Sequence, residues 1–252
     1  MKCFVIRGRV LVYTFFAILA LCVGVGGLNL KPVFKVGGRE VPIYCVDRHD
    51  NKVALTFNCA WGDEDIDNIL KTLEANDVKC TFFIVGEWAE KYPESVKKIY
   101  EKGHEIANHS YAHDHYSSWS KEQILADINK CDNLLEEITG ERPTLFRAAF
   151  GEYNDDVVSA CEANGRYYIQ WSVDSLDYKA QTPDDIYNRV LPIIKSGDIV
   201  LMHTGTENTA KILPKLISEI SKEYSLCKVS DIIYKDDYTI DATGKQKTNG
   251  LK

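Results

Sequence analysis

The sequence lacks an excess of positive charge. Its 252 residues contain 30 lysines and arginines against 37 aspartates and glutamates, which gives a formal net charge of −7. A protein that neutralises nucleic-acid phosphates needs a basic surface. The composition therefore argues against a nucleic-acid partner.

The sequence also lacks any Cys-x-x-Cys pair, although it contains eight cysteines. That spacing is typical of structural zinc sites and thioredoxin-like motifs, so neither is indicated. Cys80 lies in an apolar run and Cys131 on an apolar helical stripe, where a buried free thiol is the simpler interpretation. An exported chain permits disulfides, but these positions do not predict one.

Long hydrophobic runs are scarce, and the one that stands out lies at the N-terminus. Residues 10–28 carry no charge and follow Lys2, Arg7 and Arg9. A helix of this length comes close to the roughly 30 Å of a bilayer's hydrocarbon core. We interpret residues 1–30 as a signal anchor or signal peptide and favour the anchor, because the run is long and lacks a clear small-x-small cleavage site.

The positive flank of this run predicts a single-pass protein at the cell membrane with its remaining domain outside. Cleavage of the run would instead give a secreted protein. We take residues 31–50 as a linker or N-terminal extension and residues 51–234 as one domain. The polar, glycine-containing residues 235–252 are expected to form a loose tail.

Short apolar runs alternate with amphipathic stretches through residues 51–234. The run of residues 52–57 reads as a buried strand, and apolar residues then recur with helical spacing from Ile66 to Leu73. Ser120 and Gln123 form a capping box that opens a long helix. Such alternation predicts an α/β fold with a mostly parallel sheet, and both a barrel and an open doubly wound sheet fit the pattern.

Polar residues stand at or just beyond the ends of five successive predicted strands. They are Asn58, His109, Arg147, Asp174 and His203. In parallel α/β folds the chemistry lies at the carboxyl ends of the strands. The five side chains are therefore expected to converge on one site.

His109 and His113 lie four residues apart, so both can reach one metal ion from a helical turn. Imidazoles suit zinc or a similar divalent ion. The pair alone is equally compatible with a solvated helix face. A third ligand could come from the acids at residues 63–65, although on its own this cluster is better explained as a helix cap.

Five short motifs occur in a family's order and context. They are Thr56-Phe57-Asn58, His109-Ser110-x-x-His113, Arg147-x-x-x-Gly151, Asp174-x-x-Asp177 and Leu201-Met202-His203. Together they resemble the motifs of NodB-homology polysaccharide deacetylases, carbohydrate esterase family 4, over about residues 50 to 226. Residues 58–64 are similar to the Trp-Gly-Asp variant of spore- and wall-associated deacetylases from Gram-positive bacteria.

The resemblance implies an irregular (β/α) barrel with fewer than eight strands. It also implies removal of acetyl groups from N-acetylated sugars of an extracellular polysaccharide, with peptidoglycan the leading substrate. The expected cofactor is a divalent metal ion, zinc first, with cobalt, nickel or manganese as alternatives. We expect a monomer.

Carried over to this chain, the resemblance makes His109 and His113 metal ligands and His203 the general acid. Asp174 would orient His203, and Arg147 would position the base. Three aromatic residues would line the sugar groove, although each could equally belong to the core. They are Phe150, Tyr153 and Tyr178.

The chain departs from the family at the first motif, where Asn58 replaces the aspartate that acts as base and no acid follows it. An amide cannot accept a proton at neutral pH. We assign Asp63 to the metal, which leaves the base open between Asp65 and an unassisted metal-bound hydroxide. Alternatively, Asp63 is the base and the metal is held weakly.

Three functions follow from these residues. The first is an active deacetylase. The second is a catalytically inactive homologue that binds glycan or signals at the envelope, which Asn58 favours. The third is a deacylase for another N-acyl or O-acyl group.

Overall fold

The computed structural model describes residues 41–249. Eight of its strands form one parallel sheet, and three more form a small second sheet. The strands are β1 Cys45–Val46, β2 Lys52–Cys59, β3 Thr81–Ile84, β4 Glu105–Asn108, β5 Leu145–Phe146, β6 Tyr167–Tyr168, β7 Val173–Asp174, β8 Ile199–His203, β9 Ser225–Cys227, β10 Tyr238–Ile240 and β11 Lys245–Thr248.

Helices follow most of the strands of the large sheet. They are α1 Ile66–Ala75, α2 Gly86–Lys91, α3 Pro93–Glu101, α4 Lys121–Thr139, α5 Asp155–Ala163, α6 Pro183–Val190 and α7 Glu207–Ile220. None of the helices within residues 41–249 is long and apolar enough to cross a membrane. The predicted anchor at residues 1–30 lies outside the described residues.

The strand order of the large sheet is β6-β5-β4-β3-β2-β8-β7, with β9 also paired to β2. All its pairs are parallel. This is the order of a barrel followed around its circumference and opened between β6 and β7. A doubly wound sheet would reverse direction at its centre. The expectation of an irregular barrel is therefore confirmed in its coarser form, a parallel (β/α) half-barrel.

Strand β2 lies at the centre of this sheet, and its residues 53–59 are all buried. A parallel sheet needs apolar residues on both faces, because helices cover it from outside and the inward side chains fill its interior. Helix α1 meets this need with one buried stripe, formed by Ile66, Ile69, Leu70 and Leu73. The same apolar spacing predicted the helix from the sequence.

Helix α4 has the ends that its sequence predicts. Ser120 accepts a hydrogen bond from the backbone N–H of Gln123, whose side chain bonds back to the Ser120 N–H. Gly140 ends the helix with φ of 78°, a left-handed conformation that costs glycine little. These two signals fix both ends of the helix.

Within the described residues, parts of the expected linker and tail form strands, which corrects the expectation of a loose tail for residues 235–249. Strand β1 pairs with β11, and β11 pairs with β10, in a three-stranded sheet. Ile43 also pairs with Ile169 beside β6, and Cys45 bridges to Asp198 at the start of β8. Residues 43–46 therefore run across the open side of the half-barrel. The polar composition hid this pairing because the strands are short and mostly half-buried.

All six cysteines within residues 41–249 are free thiols. Cys59, Cys80, Cys131 and Cys161 are buried, and burial raises the pKa of each thiol. They behave as small apolar core residues.

Candidate active site

The strand ends converge as the sequence predicts. Asn58 at the end of β2 is in register with His203 at the end of β8. Arg147, just after β5, donates a hydrogen bond to the Asn58 side chain. His109, just after β4, lies against the Arg147 carbonyl. Four residues from four strands therefore surround one point at the carboxyl edge of the half-barrel.

His109 is the most constrained of these side chains. It is 1% exposed, and its Nδ1 lies 2.8 Å from the Arg147 carbonyl oxygen. A carbonyl can only accept, so Nδ1 carries the proton and Nε2 keeps its lone pair. Burial, followed by the neighbouring His113, holds the pKa of His109 well below its usual value. The Nε2 atom is buried and has no hydrogen-bond partner within the described residues.

His113 completes a pair of imidazoles. Its ring centre lies 5.1 Å from that of His109, and the two rings meet edge to face. Burial is the main cause that lowers the pKa of His113, and the electrostatic effect of the nearby His203 is the second. Both imidazoles therefore stay neutral near pH 7, the state in which a histidine binds a metal ion.

A buried lone pair without a partner is costly unless a ligand occupies it. Neutral imidazole nitrogens are donors that suit zinc and similar divalent ions. His109 and His113 are therefore the residues that would hold such an ion. The fit is incomplete, because no group of three potential ligands occurs within residues 41–249.

Asp63 does not join the two histidines, which corrects its assignment as the third ligand. Its carboxylate accepts a hydrogen bond of 2.7 Å from Ser95 at the start of α3. Residues 60–65 connect β2 to α1, and in this turn the Asp63 carboxylate faces α3. The acidic spacing alone could not reveal which way this turn points.

Asp65, one of the candidates for the base, is held by the loop that follows His203. It is 9% exposed, and its Oδ1 accepts a 2.9 Å hydrogen bond from the backbone N–H of Gly205. Gly205 has φ of 72°, and a side chain there would lie 2.8 Å from the Gly62 nitrogen. Asp65 thus fastens the Trp61–Asp65 segment to the loop that follows His203. Burial raises its pKa.

Arg147 holds the residue at the base position, in line with its predicted role. Its side chain is completely buried and donates to Asn58 Oδ1 at 2.8 Å and to Thr56 Oγ1 at 3.0 Å. It also donates to the carbonyl oxygens of Ile169 and Gln170. Burial lowers the pKa of Arg147 to about 9, since no contacting residue brings a carboxylate. The Asn58 oxygen is therefore turned to the arginine, and its amide nitrogen is left for other partners.

Asp177, rather than Asp174, holds His203. Asp177 is 2% exposed, and its Oδ1 lies 2.7 Å from His203 Nδ1. The Asp174 carboxylate instead accepts a hydrogen bond from the Leu176 N–H, as a turn residue does. The assignment of Asp174 is therefore wrong. Both acids belong to one Asp-x-x-Asp motif, and spacing alone could not decide between them.

The three predicted groove aromatics are among the most exposed large side chains of the described chain. Phe150 is 56% exposed, Tyr178 46% and Tyr153 38%. Phe150 has φ of 58° and stacks on the His115 ring with a centre separation of 4.0 Å. Exposed rings beside the histidines can stack against the apolar faces of a sugar.

Trp61 is a site residue to which the sequence motifs assigned no role. It is 48% exposed, stacks on His203 with a centre separation of 5.1 Å, and also contacts Tyr178. Its place directly after β2, between two motif positions, was the available signal. Trp61 and Tyr178 together flank His203.

Comparison with known proteins places this site in a family. The sequence profile of the family described as polysaccharide deacetylase matches residues 46–169. A peptidoglycan-N-acetylglucosamine deacetylase of Bacillus cereus is 31% identical over 194 residues, covering 75% of this chain and 91% of that protein. The uncharacterised protein YlxY of Bacillus subtilis is 33% identical, covering 76% of this chain and 60% of YlxY.

Solved structures give the same result. BA3943 of Bacillus anthracis, described as a carbohydrate esterase family 4 pseudoenzyme, superposes with a TM-score of 0.74 at 30% identity, covering 82% of this chain and 73% of that one. A mutant of BA3943 is described as having restored enzymatic activity. The chain belongs to the polysaccharide deacetylase family, carbohydrate esterase family 4.

Proposed function

We propose that this chain hydrolyses N-acetyl groups on amino sugars of cell-wall peptidoglycan with the help of a divalent metal ion. The observation that carries the proposal is the free, buried Nε2 atom of His109 next to His113. Zinc is the first choice for two neutral imidazoles, with cobalt, nickel and manganese as alternatives. A bound ion supplies a polarised carbonyl and a water of lowered pKa.

The chain's own residues would do the remaining work. His203, held by Asp177, would give a proton to the leaving amine. Arg147 fixes Asn58, whose amide group can orient but cannot deprotonate a water molecule. Proton removal from water therefore has no assigned carboxylate, and we expect a slow enzyme.

The proposed substrate follows from the rim of the site and from the relatives. Three exposed aromatic rings, those of Trp61, Phe150 and Tyr178, contact the histidines, as suits a sugar chain. The Bacillus cereus relative is named as a peptidoglycan-N-acetylglucosamine deacetylase. The charge-free run at residues 10–28 would tether a monomeric domain to the outer face of the cell membrane, or direct its secretion if cleaved.

A second candidate function is supported by Asn58 itself. A site that retains the histidines and the aromatic rim but lacks the base can bind glycan without cleaving it. The similarity to BA3943, described as a pseudoenzyme, is compatible with this alternative. Such a protein would act as a glycan receptor or signalling component at the cell envelope.

One experiment separates the two functions. Acetate release from N-acetylglucosamine oligomers and peptidoglycan fragments is measured for the wild-type domain, His109→Ala and Asn58→Asp, each with zinc or cobalt. The proposal predicts slow release by the wild type, none by His109→Ala and faster release by Asn58→Asp. An inert wild type with an active Asn58→Asp variant would establish the binding function, and three inert proteins would refute the proposed hydrolysis.

A further inference from the structure

The loop that carries both metal-binding histidines has an unusual backbone. Ser110 and His113 adopt φ values of 65° and 56°, in the left-handed region that non-glycine residues rarely occupy. Such a conformation persists only where the surroundings determine it more strongly than the local preference. Residues 109–116, called here the histidine loop, must therefore be held by groups outside their own backbone.

The first part of the histidine loop is held from the sheet and from α2. The backbone N–H of His109 donates to the Ile84 carbonyl, and the Ser110 N–H donates to Asn108 Oδ1. The Ser110 carbonyl in turn accepts from Gly86. These contacts fix the peptide groups around His109, but they leave the Tyr111 N–H to be satisfied elsewhere.

Within the loop, the His113 N–H donates to Ser110 Oγ, and further contacts come from α4. One carboxylate oxygen of Asp127, Oδ2, accepts a hydrogen bond of 2.7 Å from the Tyr111 N–H and another of 2.5 Å from the Tyr116 hydroxyl. Tyr116 is 1% exposed, so its hydroxyl has no ready access to water. Asp127 therefore ties together the two sides of the segment that contains His113.

A second acid of α4 holds the start of the histidine loop through another residue. Asp132 accepts 2.6 Å from the Asn108 amide and also pairs with the buried Arg166. Because Asp132 fixes the Asn108 side chain, Asn108 Oδ1 is in place to accept the hydrogen bond from the Ser110 N–H. Two acids of α4 therefore hold the segment between His109 and His113. Asp132 acts through Asn108, and Asp127 acts through the Tyr111 N–H.

We propose that Asp127 is a positioning residue of the metal site: it sets the place of His113 relative to His109 without touching the ion. This rests on the proposed function, since it assigns the support of the same site. Asp127 lies 16 residues from Tyr111 in sequence, and no catalytic motif includes it. Supporting residues of this kind tune metal affinity because they fix the direction in which each ligand points.

The test is titration of the metal-free, full-length protein with Co²⁺, followed by the visible absorption of the bound ion. Asp127→Ala is expected to weaken Co²⁺ binding by about ten- to a hundredfold and to alter the spectrum. Asp127→Asn keeps an acceptor oxygen for the Tyr111 N–H and is expected to recover most of the affinity. Glu137→Ala removes an exposed acid of the same helix and is expected to bind as the wild type does.

A merely structural role would lower the melting temperature of Asp127→Ala while the folded protein bound Co²⁺ like the Glu137→Ala control. That outcome would overturn the inference. If the wild type binds no Co²⁺, the proposed metal centre fails and the inference fails with it. In a wild type that binds Co²⁺, amide hydrogen exchange of residues 110–113 in the metal-free protein is the second readout. Faster exchange in Asp127→Ala than in Glu137→Ala supports it, and equal exchange refutes it.

Discussion

Replacing Asp177 by asparagine should destabilise the protein and disturb His203, because every contact to this carboxylate is a donor. The side chain of Asp177 accepts from His203 Nδ1 and from the Tyr178 N–H at Oδ1. At Oδ2 it accepts from the His203 N–H at 2.6 Å and from Thr209 at 2.6 Å. An asparagine NH₂ placed in either position therefore faces a backbone N–H.

The magnitude follows from this mismatch. An unsatisfied buried donor costs about 1–3 kcal/mol, and loss of the charge-assisted bonds adds about 1 kcal/mol. Asp177→Asn should thus lower the free energy of unfolding by about 2–4 kcal/mol. Asp174→Asn is the matched control, because its side-chain oxygen still accepts from the Leu176 N–H, and it should change stability by less than about 0.5 kcal/mol.

Urea unfolding at pH 7 measures both variants. With a slope of about 2 kcal/mol per molar urea, Asp177→Asn should move the midpoint down by about 1–2 M. Acetate release should fall in the same variant, since the imidazole loses its fixed tautomer. Equal losses in Asp174→Asn and Asp177→Asn, or no loss in either, would refute the assignment of His203's partner.

Two further predictions concern stability against pH and the ligand set. Burial first, then Lys79 and Lys102, lower the pKa of His104 from 6.5 to about 4. Between pH 6.5 and 4, His104 is therefore protonated in the unfolded chain but neutral in the folded chain. The free energy of unfolding should fall by about 3 kcal/mol as the pH drops through this range. Above pH 6.5 His104 is neutral in both states and makes no contribution. Unfolding followed against pH should show a shallower decline in His104→Gln, and an unchanged slope would contradict the prediction. Because Asp63 is bound to Ser95, Asp63→Asn should bind Co²⁺ as the wild type does, whereas His113→Ala should bind at least about tenfold more weakly. A titration in which Asp63→Asn loses as much affinity as His113→Ala would restore Asp63 as a ligand.

Periodicity was sufficient to predict an α/β fold with a mostly parallel sheet, and the resemblance to the family then implied the barrel form. The buried run of β2 and the apolar stripe of α1 are strong signals, because each element must bury one side against the other. Polar residues at successive strand ends also predicted the convergence of Asn58, His109 and His203, since parallel strands end at one edge. These inferences depend only on the regular geometry of strands and helices.

The missed features depend on the direction of loops and on pairing between distant segments. Asp63 and Asp177 both lie in turns just after strands, and a one-residue change in such a turn redirects a carboxylate from one neighbour to another. Strand β11 pairs with a segment about two hundred positions earlier, and its polar residues carry no periodic signal. Short-range patterns therefore could not reveal that Asp177 is the partner of His203. They also could not reveal that residues near the C-terminus form paired strands.

The most direct test of the central claim is an anomalous difference map from crystals of the wild-type domain grown with zinc. The account predicts one ion bound by His109 Nε2 and by His113, at Zn–N distances of about 2.0–2.1 Å. Asp63 should remain on Ser95 in the same crystals. Zinc found elsewhere, with the His109 Nε2 atom still unoccupied, would contradict the account.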